Sequence, residues 1–160
     1  MIFLLFIFLI VTLTVTIEKF MSSSTKLSNS VKALCYLANT GKPSNSFEIS
    51  IKTGINASKL RKLLSLLCKN KIVKSNKGAF GGFSLKKKAD EIHLQEIYCA
   101  IEDRKAFDLH SFSENKNKSF YDSEINNYFL ELFENIQIEI EDKMRKITLT
   151  EILKTIKNNK

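Results

Sequence analysis

The sequence predicts a mainly α-helical chain with a small β-hairpin, a winged helix-turn-helix followed by a long dimerisation helix. Three observations predict it. Two short amphipathic helices flank a turn containing Gly54, a glycine-rich hairpin follows the second of them, and an apolar stripe runs from Ile125 to Met144.

The elements follow in order. Ser22 to Thr25 supply N-cap residues, and Leu27, Val31, Leu34, Cys35 and Ala38 then recur on one helical face. Gly41 and Pro43 end that helix. Asn45 and Glu48 have capping-box spacing, which predicts a short helix through Phe47, Ile49 and Ile51. After the turn at Thr53, Gly54 and Ile55, Asn56 or Ser58 opens a helix with Leu60, Leu63, Leu64, Leu67 and Cys68 on its apolar face. Two short helices joined by a glycine-containing turn make a helix-turn-helix.

Two strands come next, Ile72 to Ser75 and Phe83 to Leu85, joined through Gly78, Gly81 and Gly82. Glycine permits positive φ and lets backbone approach a groove closely. A phosphate-cradling loop is the other use of such glycines, but no Gly-Lys-Ser/Thr signature or directly following helix accompanies them. Leu94, Ile97, Tyr98 and Ile101 predict a further helix, and a polar loop runs from Glu102 to Phe120. From Asp122 to about Lys146, Ile125, Tyr128, Phe129, Leu132, Phe133, Ile136, Ile140 and Met144 form a stripe wider than one packing contact needs. It can pack on its own domain by one edge and on a second copy by the other; a wholly intrachain bundle is the alternative. Thr148 and Glu151 form a second capping box ahead of Leu149, Ile152, Leu153 and Ile156.

Charge divides the chain. Residues 21–88 hold fourteen Lys or Arg against one acid, Glu48, a net charge of +13, whereas residues 89–160 hold ten basic and fifteen acidic residues, a net charge of −5. So uneven a distribution predicts that the front half meets a polyanion, double-stranded DNA above all, where an even one would mean only a soluble lysine-rich surface. Ser58, Lys59, Arg61 and Lys62 lie near the start of the second helix of the pair, where a helix-turn-helix presents side chains to the major groove. Arg61 can bond two guanine acceptors at once. Lys74, Lys77, Gly78, Ala79 and Gly81 at the hairpin, with Thr25 at the start of the first helix, complete the candidate DNA-contacting set. On its own, such a helix is also an ordinary solvated basic face.

The expected domains are an apolar segment 1–20, a DNA-binding winged helix 21–90, and an effector-loop and helical dimerisation region 91–160. Residues 1–17 carry no charge and would make about 25 Å of helix, the short limit for a membrane span. They lack the basic start and small-residue cleavage site of a signal peptide. Either they anchor the chain, which alone would make a membrane its partner, or translation starts at Met21; the strand-like alternation from Val11 to Ile17 and the domain beginning at once after Met21 favour the second. The cytoplasm is the expected compartment.

Cys35, Cys68 and Cys99 are too widely and singly spaced for a zinc or cluster motif, and their odd number argues against a disulfide framework. Cys99 is the candidate redox thiol, since it lies beside an apolar face where Cys35 and Cys68 lie on one. No acid–base pair, nucleophile elbow or cofactor motif supports an enzyme, and no cofactor is expected. A winged-helix protein-interaction module and a thiol-based sensor without an iron–sulfur cluster are the competing functions.

This order resembles the Rrf-two family of bacterial winged-helix regulators. The resemblance rests on Lys74 to Leu85, which is similar to the family's wing, on Ile92 to Ile97 after it, and on Lys26 to Ala38 as the first helix. It implies a homodimer, commonly a repressor, whose recognition helix at Ala57 to Lys69 enters the major groove. The wing tip around Gly78 to Gly81 would enter the adjacent minor groove. The long helix, through Ile125, Phe129, Leu132, Phe133, Ile136 and Ile140, would pair two subunits. Cluster-binding members place three cysteines between the post-wing helix and the long helix; residues 102–121 here contain none, only His110. A lone histidine cannot hold a cluster that needs thiolates, so the resemblance points to cluster-free members. His93 also stands where the family has a Ser or Thr cap.

Overall fold

The computed structural model describes residues 25–78, 81–102 and 120–158 of the protein. The apolar segment 1–20, Ala79 and the loop residue His110 lie outside the described residues. Two compact units divide the chain between Lys87 and Lys88.

The first unit opens with α1, residues 25–40. Its buried face is Ser30, Ala33, Leu34 and Leu37, with Leu27, Val31 and Ala38 only half-buried at its edges. Gly41 stops it at φ +63°. Helix α2 spans Ser46–Thr53 and is capped by Asn45, whose side chain accepts from the Glu48 N–H at 2.8 Å. Only half of the expected capping box forms this way, because the Glu48 carboxylate accepts instead from Tyr36 of α1. Ile49 is fully buried, whereas Phe47 and Ile51 face outward, so α2 has one core residue and an apolar outer face. Gly54, at φ +70°, ends α2 in the left-handed conformation.

Helix α3, Ala57–Lys69, buries Leu60, Leu63, Leu64 and Leu67; Cys68 is half-buried at the edge of that face. Lys71 turns the chain at φ +61°, and the Ile72 N–H donates to Leu67 O at 3.0 Å, delivering the chain into β1, Val73–Asn76. β1 pairs antiparallel with β2, Gly82–Leu85, in the register Val73 with Leu85 and Asn76 with Gly82. Each strand is set one residue from its expected start.

In the second unit a single 3-10 turn, Ala89–Glu91, precedes α4, Leu94–Ile101. His93 occupies the N-cap of α4 without a side-chain capping bond. Backbone does that work: Leu94 N–H donates to Ile147 O and Leu149 N–H to Ile92 O, both at 2.8 Å. This short bridge ties the start of α4 to the start of α6, Leu149–Asn158. The Thr148–Glu151 capping box forms in both directions, Thr148 N–H to Glu151 Oε2 at 2.7 Å and Glu151 N–H to Thr148 Oγ1 at 3.2 Å. These bonds hold the Glu151 carboxyl below its ordinary 4.5. Between α4 and α6 runs α5, Phe120–Arg145, packed along α4. Among the described residues no helix is long and apolar enough to cross a membrane.

Candidate nucleic-acid interface

The outer face of α3 follows from its inner one. Four buried leucines fix the helix's rotation, and at about 100° per residue Ser58, Lys62, Ser65 and Lys69 fall opposite them, with Arg61 and Lys59 to either side. All six are exposed. Asn56 sets where this face begins, its side chain accepting from Ser58 N–H at 3.0 Å and Lys59 N–H at 3.3 Å. The helix therefore starts with capped amides and two exposed polar side chains. Ser65 and Lys69 extend the face beyond the residues singled out from sequence, and their spacing from Ser58 and Lys62 was the signal that could have found them.

The hairpin adds a second exposed edge. Lys74, Lys77 and Gly78 are exposed and Gly81 is half-buried. Its tip is closed by Gly81 N–H donating to Gly78 O at 2.9 Å. A Cβ on Gly81 would collide with Asn76 O, so this turn admits no side chain there. Asn76 Nδ2 donates to Ser84 Oγ at 3.2 Å across the strands. Thr25, at the start of α1, is exposed as well. The structure thus brings Ser58, Lys59, Arg61 and Lys62 together on α3 and Lys74, Lys77, Gly78 and Gly81 on the hairpin; Ala79 lies outside the described residues. Glu48, the one acid of residues 21–88, is held by Tyr36 at 2.7 Å. A cationic helix face and a lysine-bearing hairpin closed between Gly78 and Gly81 can neutralise phosphates and reach base edges.

Helix α5 carries a different surface. Gln137 is its buried position, 5% exposed, with its Nε2 donating to Glu141 Oε1 at 2.6 Å. Roughly 100° round the helix from Gln137 stand Ile125, Phe129, Leu132 and Ile136. Ile125 is 53%, Phe129 39% and Leu132 36% exposed and Ile136 is half-buried, while Phe133 and Ile140, also half-buried, lie between the two directions. Phe129 and Phe133 stack with ring centroids 5.7 Å apart, and Tyr128 meets Phe129 edge-on at 5.8 Å. The helix therefore has two apolar directions, one satisfied within its unit and one open.

The thiols are set apart. Burial pushes Cys35 up to about 11 and raises Cys68. Cys99 is exposed and accepts from Gln95 Nε2 at 3.3 Å; partial burial and then the nearby Glu141 raise its pKa, with Arg145 opposing. Each is a thiol rather than a thiolate at neutral pH.

Fold and surfaces together define a winged helix-turn-helix transcription regulator. The model of the Rrf2 family, described as iron-dependent transcriptional regulators, matches residues 23–155, and the chain belongs to that family. The structure is similar to that of IscR from T. potens, with 25% identity and a TM-score of 0.62, over 82% of this chain and 85% of that one. It is also similar to CymR, the global cysteine regulator of B. subtilis, at 20% identity and a TM-score of 0.61, over 82% and 95% of the two chains. CymR from Staphylococcus aureus shares 19% identity at a TM-score of 0.58, over 81% and 95%. No curated protein matches the chain.

The family description raises the question of iron, and this chain's donors do not fit it. Residues 102–121 hold no cysteine. Cys35 is buried in the first unit, Cys68 lies on α3 of that unit, and Cys99 stands on α4 of the second. Among the described residues no three His, Cys, Asp or Glu side chains gather as a metal site. An iron–sulfur cluster needs several thiolates at one place.

Proposed function

We propose that the chain is a sequence-specific DNA-binding regulator acting as a homodimeric repressor. Residues 21–90 are the DNA-binding domain and residues 91–160 the effector-loop and dimerisation region. The observation that carries this is the outer face of α3, where Ser58, Arg61, Lys62 and Lys69 are exposed together on a half-chain of net charge +13. The N-terminal end of α3 reads the major groove, with Arg61 on guanine and Ser58 on a base or phosphate. Lys59, Lys62, Lys74 and Lys77 neutralise phosphates, and the tip at Gly78 to Gly81 lies along the minor groove. The open side of α5 pairs two copies, which doubles the number of bases read. Double-stranded DNA and a second copy are the partners, and no cofactor takes part.

A second reading, a winged-helix protein-interaction module, is favoured by Phe47 and Ile51, which stand 71% and 63% exposed one turn apart on α2. Gel-shift assays on genomic fragments at low salt separate the two. Retarded complexes support the regulator; no complex with any fragment supports the module.

A further inference from the structure

Between α1 and α2 the chain runs through Ser44, which is 1% exposed and pairs antiparallel with Phe83 of β2. Ser44 N–H donates to Phe83 O at 3.0 Å and Phe83 N–H to Ser44 O at 2.8 Å. Ser44 is thus a one-residue third strand. A two-stranded hairpin alone is marginal in water, so this lateral tie matters for where the hairpin points. Its hydroxyl is buried without a hydrogen-bond partner among the described residues, so Ser44 is held here by its backbone pair with Phe83.

Gly82 makes the tie close. It sits at φ +152°, and a Cβ there would lie 2.6 Å from both Ser44 C and Ser44 O and 2.9 Å from Asn45 N. Those are backbone atoms that cannot swing aside, and Asn45 is the residue that caps α2. Any side chain at position 82 must push β2 off the start of the helix-turn-helix. At its other edge the hairpin is fixed through Ile72, whose N–H bonds Leu67 of α3 and whose carbonyl accepts from Lys86 N–H at 2.9 Å. The wing therefore hangs from both helices of the pair.

We infer that Ser44 and Gly82 are positioning residues for DNA recognition: by seating β2 on the N-cap of α2 they set the reach of the wing tip relative to α3. This rests on the DNA-binding reading above. They touch no DNA in this arrangement; they act through Lys77, Gly78 and Gly81. The consequence is a fixed spacing between the bases read by α3 and the phosphates met by the wing.

Hydroxyl-radical footprinting of the full chain tests this, on a duplex that the wild-type chain has selected from a random-sequence pool. Gly82→Ala keeps the central protection facing α3 and loses the flanking protection of the wing, with roughly tenfold weaker binding. A purely structural defect would instead weaken the whole footprint evenly. Should Gly82→Ala fail to fold, Ser44→Gly, which loosens the connector without adding an atom, gives the same selective loss at the flank. A wild-type footprint from the folded variant, or an even loss across it, overturns the assignment. A wild-type chain that protects no duplex overturns the DNA-binding reading along with it.

Discussion

The Tyr36 hydroxyl donates to Glu48 Oε1 at 2.7 Å and so clamps α1 to α2. This part-buried bond engages the one carboxylate of residues 21–88 with α1.

It also leaves a titration signature. The Glu48 bond first, and burial second, raise the Tyr36 phenol above its ordinary 10.0. A group raised in the fold stabilises it fully below the unfolded value and loses that contribution as pH climbs through the folded value. Melting temperature should therefore fall above about pH 10 more steeply in the wild type than in Tyr36→Phe. Tyr98 is raised as well, by burial first, so an ultraviolet phenolate titration of that variant should lose part of its late-ionising phase and keep the rest. A loss confined to the early-ionising phase would contradict the bond.

Arg61 and Lys77 should fail differently. Arg61→Ala should relax base preference at one position and cost about 1–3 kcal/mol on the selected duplex. Lys77→Ala should weaken every sequence alike. Competition gel shifts against single-base variants of that duplex distinguish the two patterns.

Much of this interface was legible in the chain. The leucines of α3, the Asn56 cap, the glycine-rich tip and the Thr148–Glu151 box are each decided within a few residues, so spacing alone locates them. What sequence spacing missed is set by distant partners. Glu48 has the right interval to close a box on Asn45, but Tyr36 of another helix takes its carboxylate. Ser44 and Gly82 matter only because the fold brings Phe83 against the connector. His93 is a poor cap, and α4 starts there because Leu94 N–H donates to Ile147 O while Leu149 N–H, at the start of α6, donates to Ile92 O. Phe47 and Ile51 fit an apolar pattern that the core, reaching only Ile49, does not use.

The open side of α5 makes self-association testable. Leu132→Asp places a charge at the centre of the face between Phe129 and Ile136 and should weaken dimerisation by about a hundredfold or more. Light scattering at micromolar concentration should move from a dimer mass to the 18.3 kDa of one chain. A wild type that is monomeric there removes the proposed role of this face.

Iron should have no hold on the protein. Anaerobic incubation with ferrous iron and sulfide should leave no bound iron after desalting, and an iron chelator should leave DNA affinity unchanged. Stoichiometric cluster absorption, or a chelator-sensitive complex, would contradict the reading of the cysteines.

The most direct measurement is the salt dependence of affinity for the selected duplex. Contacts from Lys59, Lys62, Lys74, Lys77 and their copies in a second subunit would engage at least about six phosphates. Affinity should then fall by roughly three decades between about 50 mM and 200 mM salt. An affinity that stays level across that range would mean that the cationic faces of α3 and the wing do not meet DNA.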